Sequence, residues 1–481
     1  MRRPLALAAA GLALAGCTLE PRYQRPAPAV PTTWPTGRAY GEPPAAEALP
    51  ILSYRDVFHD PRLLALIERA LVQNQNLRAT AANVQIARAQ YRIQRAGLFP
   101  SVDAQGSVVH NRDRRGSDPA ADVERDYAAN LGAAFEIDLF GRLRSLSHAA
   151  QEQYLATDAG ARAARLALVG EVARAYLALA ADRTSLLIAE ETVASAGRTV
   201  SLTEARLKGG VSARTDLAQA QTVLQQARSD MARLATEVAQ DRNALELLVG
   251  GPVADAELPA GIEEADGTLA EIPAGLDSRI LLRRPDVLEA EHRLRSANAQ
   301  IGAARAAFFP TISLTGLAGY ASPQLDGLFS GRNFTWRSEG AAALPIFTGG
   351  AALAGLSGAR AQRELAVAAY QNAVQSAFRD VADALARRGT MHDQLEAQEA
   401  FAAAAESAYD LSLARYRAGV ETFLETLVAQ RTLYVARQSL ALTRLAQAQN
   451  LVDLYVALGG DAGLEALPLR PAAAKRASSG G

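Results

Sequence analysis

The chain has 481 residues, of which 49% are apolar and only 6% aromatic, and its formal net charge is −1. This near-neutral balance argues against a nucleic-acid partner, whose phosphates require a basic face. A single cysteine excludes an internal disulfide and a cysteine metal cluster. The five histidines are scattered without metal-ligand spacing, and neither lysine lies in a phosphate-binding loop. We therefore expect no enzyme activity, metal or cofactor.

The first 17 residues predict a lipoprotein signal sequence. Two arginines precede an apolar run from Leu5 to Ala15, which is too short to span a bilayer. The run ends in Leu14-Ala15-Gly16-Cys17, which resembles the bacterial lipobox. That resemblance implies removal of a signal peptide, residues 1–16, and attachment of a diacylglycerol and an N-acyl chain to Cys17. Two lipid groups are enough for stable anchoring, and Thr18 favours the outer membrane.

Residues 17–60 are rich in proline and poor in large apolar side chains up to about residue 50. This composition predicts an extended, lipidated tether. At the other end, residues 461–481 are rich in Ala, Pro, Ser and Gly, which predicts a flexible tail.

The sequence between these ends contains an internal repeat. Four anchor segments recur in the same order at an offset of about 210 residues. The pairs are Arg95–Ser101 with Arg305–Thr311, Asp138–Gly141 with Ile346–Gly349, Arg206–Val211 with Arg415–Val420, and Leu245–Gly251 with Leu454–Gly460. We infer a first repeat at 61–251, a linker at 252–280 and a second repeat at 281–460.

Each repeat begins with a helix that stops at Phe-Pro, because proline disfavours helix at the residue before it. Two segments with period-two alternation of apolar residues follow. They predict strands at about 101–111 and 126–138 in the first repeat, and at about 311–321 and 333–346 in the second. Alternation over about ten residues is typical of transmembrane barrels, although a soluble antiparallel sheet would be the better interpretation of an isolated pair.

A long helical hairpin completes each repeat, at about 142–250 and 351–459. The returning helix of the first hairpin carries a heptad of apolar residues, which indicates coiled-coil packing: Leu217, Leu224, Met231, Val238 and Leu245. Helices of some sixty residues would span about 90 Å and need lateral packing for stability. The predicted fold class is therefore mixed and mainly α.

Four strands cannot close a barrel, for which about eight are the minimum. Open sheet edges are not tolerated in lipid. We therefore expect other copies of the chain to complete the strands, giving a lipid-embedded collar on a helical tube that reaches into the periplasm.

The motifs together resemble those of the TolC/OprM outer-membrane factor family, in its lipoprotein (NodT-like) branch. They are the lipobox, Phe-Pro before strands, Asp138-Leu139-Phe140-Gly141-Arg142, Leu344-Pro345-Ile346-Phe347 and the paired Arg-x-x-x-Gly-Val turns. The resemblance implies a homotrimer with a twelve-stranded barrel, a periplasmic tunnel and an equatorial domain that includes the linker. It implies an exit duct that passively conducts small molecules to the exterior. The implied partners are an inner-membrane pump of the RND type and a periplasmic adaptor, from which the duct receives the molecules.

The resemblance also assigns roles to particular residues. The two turns match tips that dock the adaptor: Arg206, Gly210, Val211, Arg415, Gly419 and Val420. The periplasmic gate candidates are Asp216, Leu424, Glu425 and Arg431. Many relatives carry an aspartate where this chain has Val428, so Asp216 or Glu425 would have to supply a gate carboxylate.

Three other readings compete with the exit duct. The strongest is a periplasmic adaptor lipoprotein of the same pumps, although adaptors usually have one hairpin inside a lipoyl-like domain. A coiled-coil lipoprotein that bridges the envelope leaves the four alternating segments unexplained. A cell-wall enzyme would need catalytic groups that we do not detect.

Overall fold

A computed structural model describes residues 18–40, 53–111, 124–266, 268–269 and 278–460. The predicted signal peptide, Cys17 and the predicted tail at 461–481 lie outside these residues, as do parts of the tether and linker. The chain divides into two compact units, each described by itself. Unit 1 comprises Met1–Ala27, Asn83–Asp158 and Glu289–Gln371, and unit 2 comprises Pro28–Ala82, Ala159–Leu288 and Asn372–Gly481.

Helices dominate the described residues, and the two repeats have the same order of long elements. The first repeat contains α1 (Tyr54–Val57), α2 (Pro61–Gln73), α3 (Gln75–Ala96), β1 (Ser101–Asn111), β2 (Glu124–Ile137), α4 (Arg142–Lys208) and α5 (Arg214–Val249). The short helix α6 (Ile262–Asp266) follows in the linker. The second repeat contains α7 (Pro285–Ala306), β3 (Thr311–Ser322), β4 (Phe334–Ala343), α8 (Ala351–Arg417) and α9 (Phe423–Ala457). None of the described helices is long and apolar enough to cross a membrane.

The boundaries follow from local sequence chemistry. Helices α3 and α7 end shortly before Pro100 and Pro310, and each proline is followed directly by a strand. Asp138 starts α4, because its carboxylate accepts the backbone N–H groups of Leu143 (3.1 Å) and Arg144 (2.9 Å). Strand β4 ends at Ala343, before the Leu344-Pro345 pair that the alternation had included in the predicted strand.

In unit 1 the four strands form one antiparallel sheet in the order β1-β2-β3-β4. Its two faces differ in polarity, because the register places like residues side by side. One face carries polar side chains: Asp103, Gln105, Asn130, Glu136, Thr315, Arg337 and Glu339. The other carries apolar ones: Val102, Val108, Leu131, Phe135, Leu314, Tyr320 and Trp336. Strands β1 and β4 lie at the two edges.

Residues 18–25, within the segment predicted to be a tether, have no regular secondary structure and are bound along α4 and α7. The buried carboxylate of Glu291 accepts hydrogen bonds from Tyr23 Oη (3.1 Å) and Arg25 Nη2 (2.7 Å). Asn298 Nδ2 donates to the Pro21 carbonyl oxygen (2.7 Å), and the His148 ring contacts Glu20 (3.0 Å). These partners are distant in sequence from residues 18–25 and could not be predicted from composition.

Unit 2 holds the largest fully buried side chains of the described residues, apart from Tyr370 in unit 1. They include Phe58, Leu66, Ile67, Tyr176, Leu179, Leu245, Ile262 and Tyr455. Asp60 is buried among them and caps α2, accepting the Arg62 backbone N–H (2.9 Å) and the Tyr176 hydroxyl (2.6 Å). Burial opposes the charge on Asp60, but the hydrogen bonds from Arg62 and Tyr176 outweigh it and lower the pKa of this carboxyl.

The tether continues in unit 2 along α8. The Trp34 ring stacks on Phe378 with 5.0 Å between ring centroids. Further on, the chain approaches Gly389 so closely that a Cβ there would overlap the Ala39 carbonyl oxygen. A small residue is therefore required at this point of a helix in which glycine is otherwise unfavourable.

Only some residues of the heptad predicted on α5 belong to the buried face of this helix. Leu224 and Leu245 are buried, whereas Leu217, Met231 and Val238 are half-buried. Ala220, Ala227 and Leu234, three residues after members of the heptad, are also buried. Small residues on this face allow neighbouring helices to approach closely.

Candidate functional site

The candidate site lies at the two helix-to-helix turns of unit 2. In the first turn, the Val211 N–H donates to the Arg206 carbonyl (3.0 Å) and the Gly210 N–H to the Leu207 carbonyl (3.0 Å). Gly210 has φ +75°, in the left-handed region. This arrangement is a Schellman motif, in which glycine ends a helix without a Cβ penalty.

The second turn repeats this geometry. The Val420 N–H donates to the Arg415 carbonyl (3.1 Å), the Gly419 N–H donates to the Tyr416 carbonyl (3.0 Å), and Gly419 has φ +78°. The predicted glycine-dependent reversal is therefore present in both repeats. Val211 and Val420, next to the glycines, are 66% and 68% exposed. Each turn thus presents one apolar side chain to solvent.

An aromatic cluster joins the two turns. Tyr416 and Phe423, from α8 and the start of α9, are buried with 5.4 Å between ring centroids. They pack in one apolar cluster with Ala220 of α5 and Leu427 of α9, and Val200 of α4 adds to it. Both hairpins therefore contribute to the same small core next to their turns.

The two arginines predicted to dock an adaptor have different surroundings. The guanidinium of Arg206 lies over the Tyr416 ring, 4.7 Å from its centroid, and Nη1 donates to the Tyr416 carbonyl (3.2 Å). Arg415 is mostly exposed, and its Nε lies 3.3 Å from Glu421 of its own turn. Arg206 therefore links the two hairpins, whereas Arg415 is available at the surface.

Of the gate candidates, Asp216 is engaged locally. Its carboxylate accepts the Ser212 hydroxyl (2.7 Å) and the Ala213 backbone N–H (3.2 Å), so it stabilises the start of α5. Leu424, Glu425 and Arg431 lie on α9 with exposed side chains. The structure thus places Asp216 in a helix-capping role and the other three on the solvent-facing side of α9.

Helix α9 also presents an exposed apolar stripe that was not predicted from the sequence. Leu424, Val428, Val435 and Leu442 follow one another at helical spacing and are each 52–56% exposed. Val428, noted only as a departure from the family aspartate, is part of this stripe. Spacings of four and seven residues along α9 could have revealed it in the sequence.

Tyr416 and Phe423 hold the turns together, a role that the sequence did not predict for either residue. Tyr416 stands where the first repeat has Leu207, so the repeat did not single it out. The lipidation candidate Cys17 lies outside the described residues. The adjoining Thr18 hydroxyl lies 3.4 Å from the Ser145 hydroxyl, at the start of α4.

Comparison with known proteins places this architecture in one class, that of outer-membrane efflux channels. The sequence model of the outer membrane efflux protein family matches residues 66–251 and 276–460, close to the two predicted repeats. The solvent efflux pump outer membrane protein SrpC of Pseudomonas putida is 43% identical over 455 residues, covering 93% of this chain and 96% of SrpC.

Solved structures support the same class of outer-membrane channels. A membrane protein from Pseudomonas aeruginosa is 38% identical with a TM-score of 0.85, over 92% of this chain and all of that chain. The open state of the Neisseria gonorrhoeae MtrE outer membrane channel is 37% identical with a TM-score of 0.80, over 92% of this chain and 98% of that chain.

The chain belongs to the outer membrane efflux protein family. It has the TolC-like fold and is the outer-membrane exit duct of an efflux system, with its helical part in the periplasm. The alternative of a periplasmic adaptor is wrong, because relatives matched over nearly the whole chain are outer-membrane channels. The family consists of passive channels that work with other pump components, and it is not an enzyme family.

Proposed function

We propose that the chain acts as a lipid-anchored homotrimer whose two periplasmic turns receive an adaptor and whose α9 helices form the gate. The observation that carries this proposal is the paired turn: two identical Schellman motifs, each with an exposed valine, joined through the cluster around Tyr416. Such a pair offers one rigid docking surface built from both repeats.

The sheet supports the trimer. Its apolar face suits lipid and its polar face suits a water-filled lumen. Strands β1 and β4 are antiparallel to each other, because three successive antiparallel pairings separate them. Adding copies therefore continues an all-antiparallel sheet, and three copies give twelve strands, which closes the edges that lipid does not tolerate.

The gate follows from the exposed stripe on α9. An apolar row that includes Leu424 is suited to meet its copies in a closed tunnel. Glu425 and Arg431 lie beside this row, and Glu425 supplies the carboxylate that Val428 does not. Because Asp216 already caps α5, we assign the gate carboxylate to Glu425.

Cys17, with its diacylglycerol and N-acyl chain, anchors the chain to the outer membrane, and residues 18–25 continue from it along α4 and α7. The inner-membrane partner is an RND-type pump. Relatives are named for the efflux of solvents, toluene and antibiotics. We propose a cargo of the same class, small molecules with substantial apolar surface.

The docking test uses cysteines at the turns. The natural Cys17 is consumed by lipid, so Val211→Cys and Val420→Cys introduce single thiols for cross-linking to a purified adaptor. We expect both to cross-link and the control Leu247→Cys, on α5 and even more exposed than the two valines, to fail. Equal yields at all three positions, or a monomer by light scattering, would overturn the proposal.

A further inference from the structure

A groove in unit 2 has no role in the proposed channel function. It is lined by α4, α6, α8 and α9, is open to solvent and has a volume of about 660 Å³, within the range of small-molecule sites. Its floor is apolar: Leu187, which is 54% exposed, the exposed Ala403 and the half-buried Leu440 present apolar surface to the groove. Four further apolar residues of the lining are buried: Ile188, Ile262, Ala402 and Ala441.

Two arginines of α9 lie at the groove, and each forms ion pairs with two glutamates. We call each arginine with its two glutamates a clamp. In the first clamp, Arg437 contacts Glu191 (3.1 Å) and Glu406 (2.6 Å). In the second clamp, Arg444 contacts Glu263 and Glu399, the latter at 3.0 Å. Each clamp therefore sets one positive charge against two negative charges and retains one carboxylate charge in excess.

The clamps are regularly spaced. Arg437 and Arg444 are seven residues apart on α9, and Glu399 and Glu406 are seven residues apart on α8. Seven residues of helix advance by about 10 Å, so both walls give the same separation. The four glutamates are 48–71% exposed, which leaves their oxygens accessible to a ligand. Glu264, also at the groove, is held by Arg62 (2.8 Å).

We propose that this groove binds a linear organic dication, an α,ω-diamine or polyamine. Its two ammonium groups lie about 10 Å apart at the two clamps, and its methylene chain lies on the apolar floor. Single exposed ion pairs are weak, so neither clamp alone holds a ligand. Occupying both at once makes the second contact intramolecular, and the effective concentration of the second ammonium is high.

Binding would connect four elements of unit 2. A ligand that contacts α4, α6, α8 and α9 together stabilises that arrangement in proportion to its concentration. The inference goes beyond the proposed channel function, because it requires neither a trimer nor a pore.

The test is isothermal titration calorimetry on the full chain in nonionic detergent at low ionic strength, with diaminooctane as the probe. We expect it to bind at least tenfold more tightly than octylamine, which has one ammonium, and than diaminoethane, which cannot span the clamps. The dianion suberate should not bind. Equal affinity for diaminooctane and diaminoethane would show that binding depends on surface charge alone and not on the spacing of the clamps, and it would overturn the proposal.

Variants locate the site. Glu399→Gln with Glu406→Gln removes the excess charge from both clamps, and we expect at least a tenfold loss of diaminooctane affinity. Glu396→Gln, an exposed glutamate of α8 outside the groove, should leave it unchanged. Ala403→Phe fills the groove from an exposed position and should also weaken binding, with folding checked by circular dichroism. Unchanged affinity in both groove variants would overturn the proposal.

Discussion

Arg206 lies over the ring of Tyr416, with the guanidinium carbon 4.7 Å from the ring centroid and Nη1 3.2 Å from the Tyr416 carbonyl oxygen. One side chain thus makes a cation–π contact and a hydrogen bond across the two hairpins. A residue in the predicted docking set therefore acts within the chain, where it fixes one turn against the other.

Removing this link should loosen the turns. A cation–π contact contributes about 0.5–2 kcal/mol, so Arg206→Ala should accelerate hydrogen exchange of the amides at 209–212 by roughly two- to thirtyfold. Arg415→Ala provides the matched control, because the Arg415 side chain pairs with Glu421 of its own turn at the surface. Equal acceleration in both variants would show that the cross-hairpin contact has no special role.

Two glycines of α8 should respond oppositely to the same substitution. Gly355→Ala meets no atom within 4 Å and should stabilise the helix by up to about 1 kcal/mol. Gly389→Ala should destabilise the protein despite the same gain in helix propensity, because its Cβ would displace the backbone at Ala39. Thermal unfolding of the two variants provides the comparison, and stabilisation by both would contradict the close approach.

The buried capping network predicts a cost for a small change. Tyr176→Phe removes the hydroxyl that donates to Asp60 at 2.6 Å and leaves a buried carboxylate with fewer donors. We expect a loss of about 1–3 kcal/mol in the free energy of unfolding. Tyr434→Phe, which loses a hydrogen bond to the more exposed Asp230, should cost less. Chemical denaturation of both variants checks the order.

The contact between residues 18–25 and the helices of unit 1 should depend on pH. Hydrogen bonds to Glu152 and Glu20 raise the pKa of His148 from 6.5 to about 10. Burial opposes the charge on Glu152, but hydrogen bonds from His148 and His292 outweigh it and lower its pKa from 4.5 to about 2.

The sign follows from these directions. The His148 contribution is complete below pH 6.5 and is lost as the pH rises to about 10. The Glu152 contribution is complete above pH 4.5 and is lost as the pH falls to about 2. Protection of residues 18–25 from proteolysis should therefore be greatest between pH 4.5 and 6.5. In His148→Gln the loss of protection above pH 6.5 should disappear. If protection still declines in this variant, a group other than His148 causes the decline.

Much of the fold could be predicted, because its elements carry strong local signals. Period-two alternation located all four strands, and Phe-Pro pairs and turn glycines located the helix ends. β4 was predicted a few residues too long, since alternation continues past Ala343 into Leu344 although Pro345 follows. Local patterns thus indicate where elements lie, and proline chemistry sets their ends more sharply than alternation does.

The site was less predictable, because its contacts join residues about two hundred positions apart. Nothing near Arg206 in the sequence indicates that it meets Tyr416, and nothing near Glu291 indicates that it binds Arg25. The role of Asp216 as a local cap was open to prediction from its position three residues into α5. The docking and gate assignments rest on resemblance and stay predictions.

The most direct test of the channel account is conductance across a planar lipid bilayer. We predict small, flickering conductance for the wild-type chain and a large, sustained increase for Leu424→Ser with Glu425→Ala. The control Leu247→Ser with Glu190→Ala makes the same two changes at exposed positions of α5 and α4, and it should match the wild type. No conductance from any of the three proteins, or an equal increase in the control, would contradict a channel gated at the start of α9.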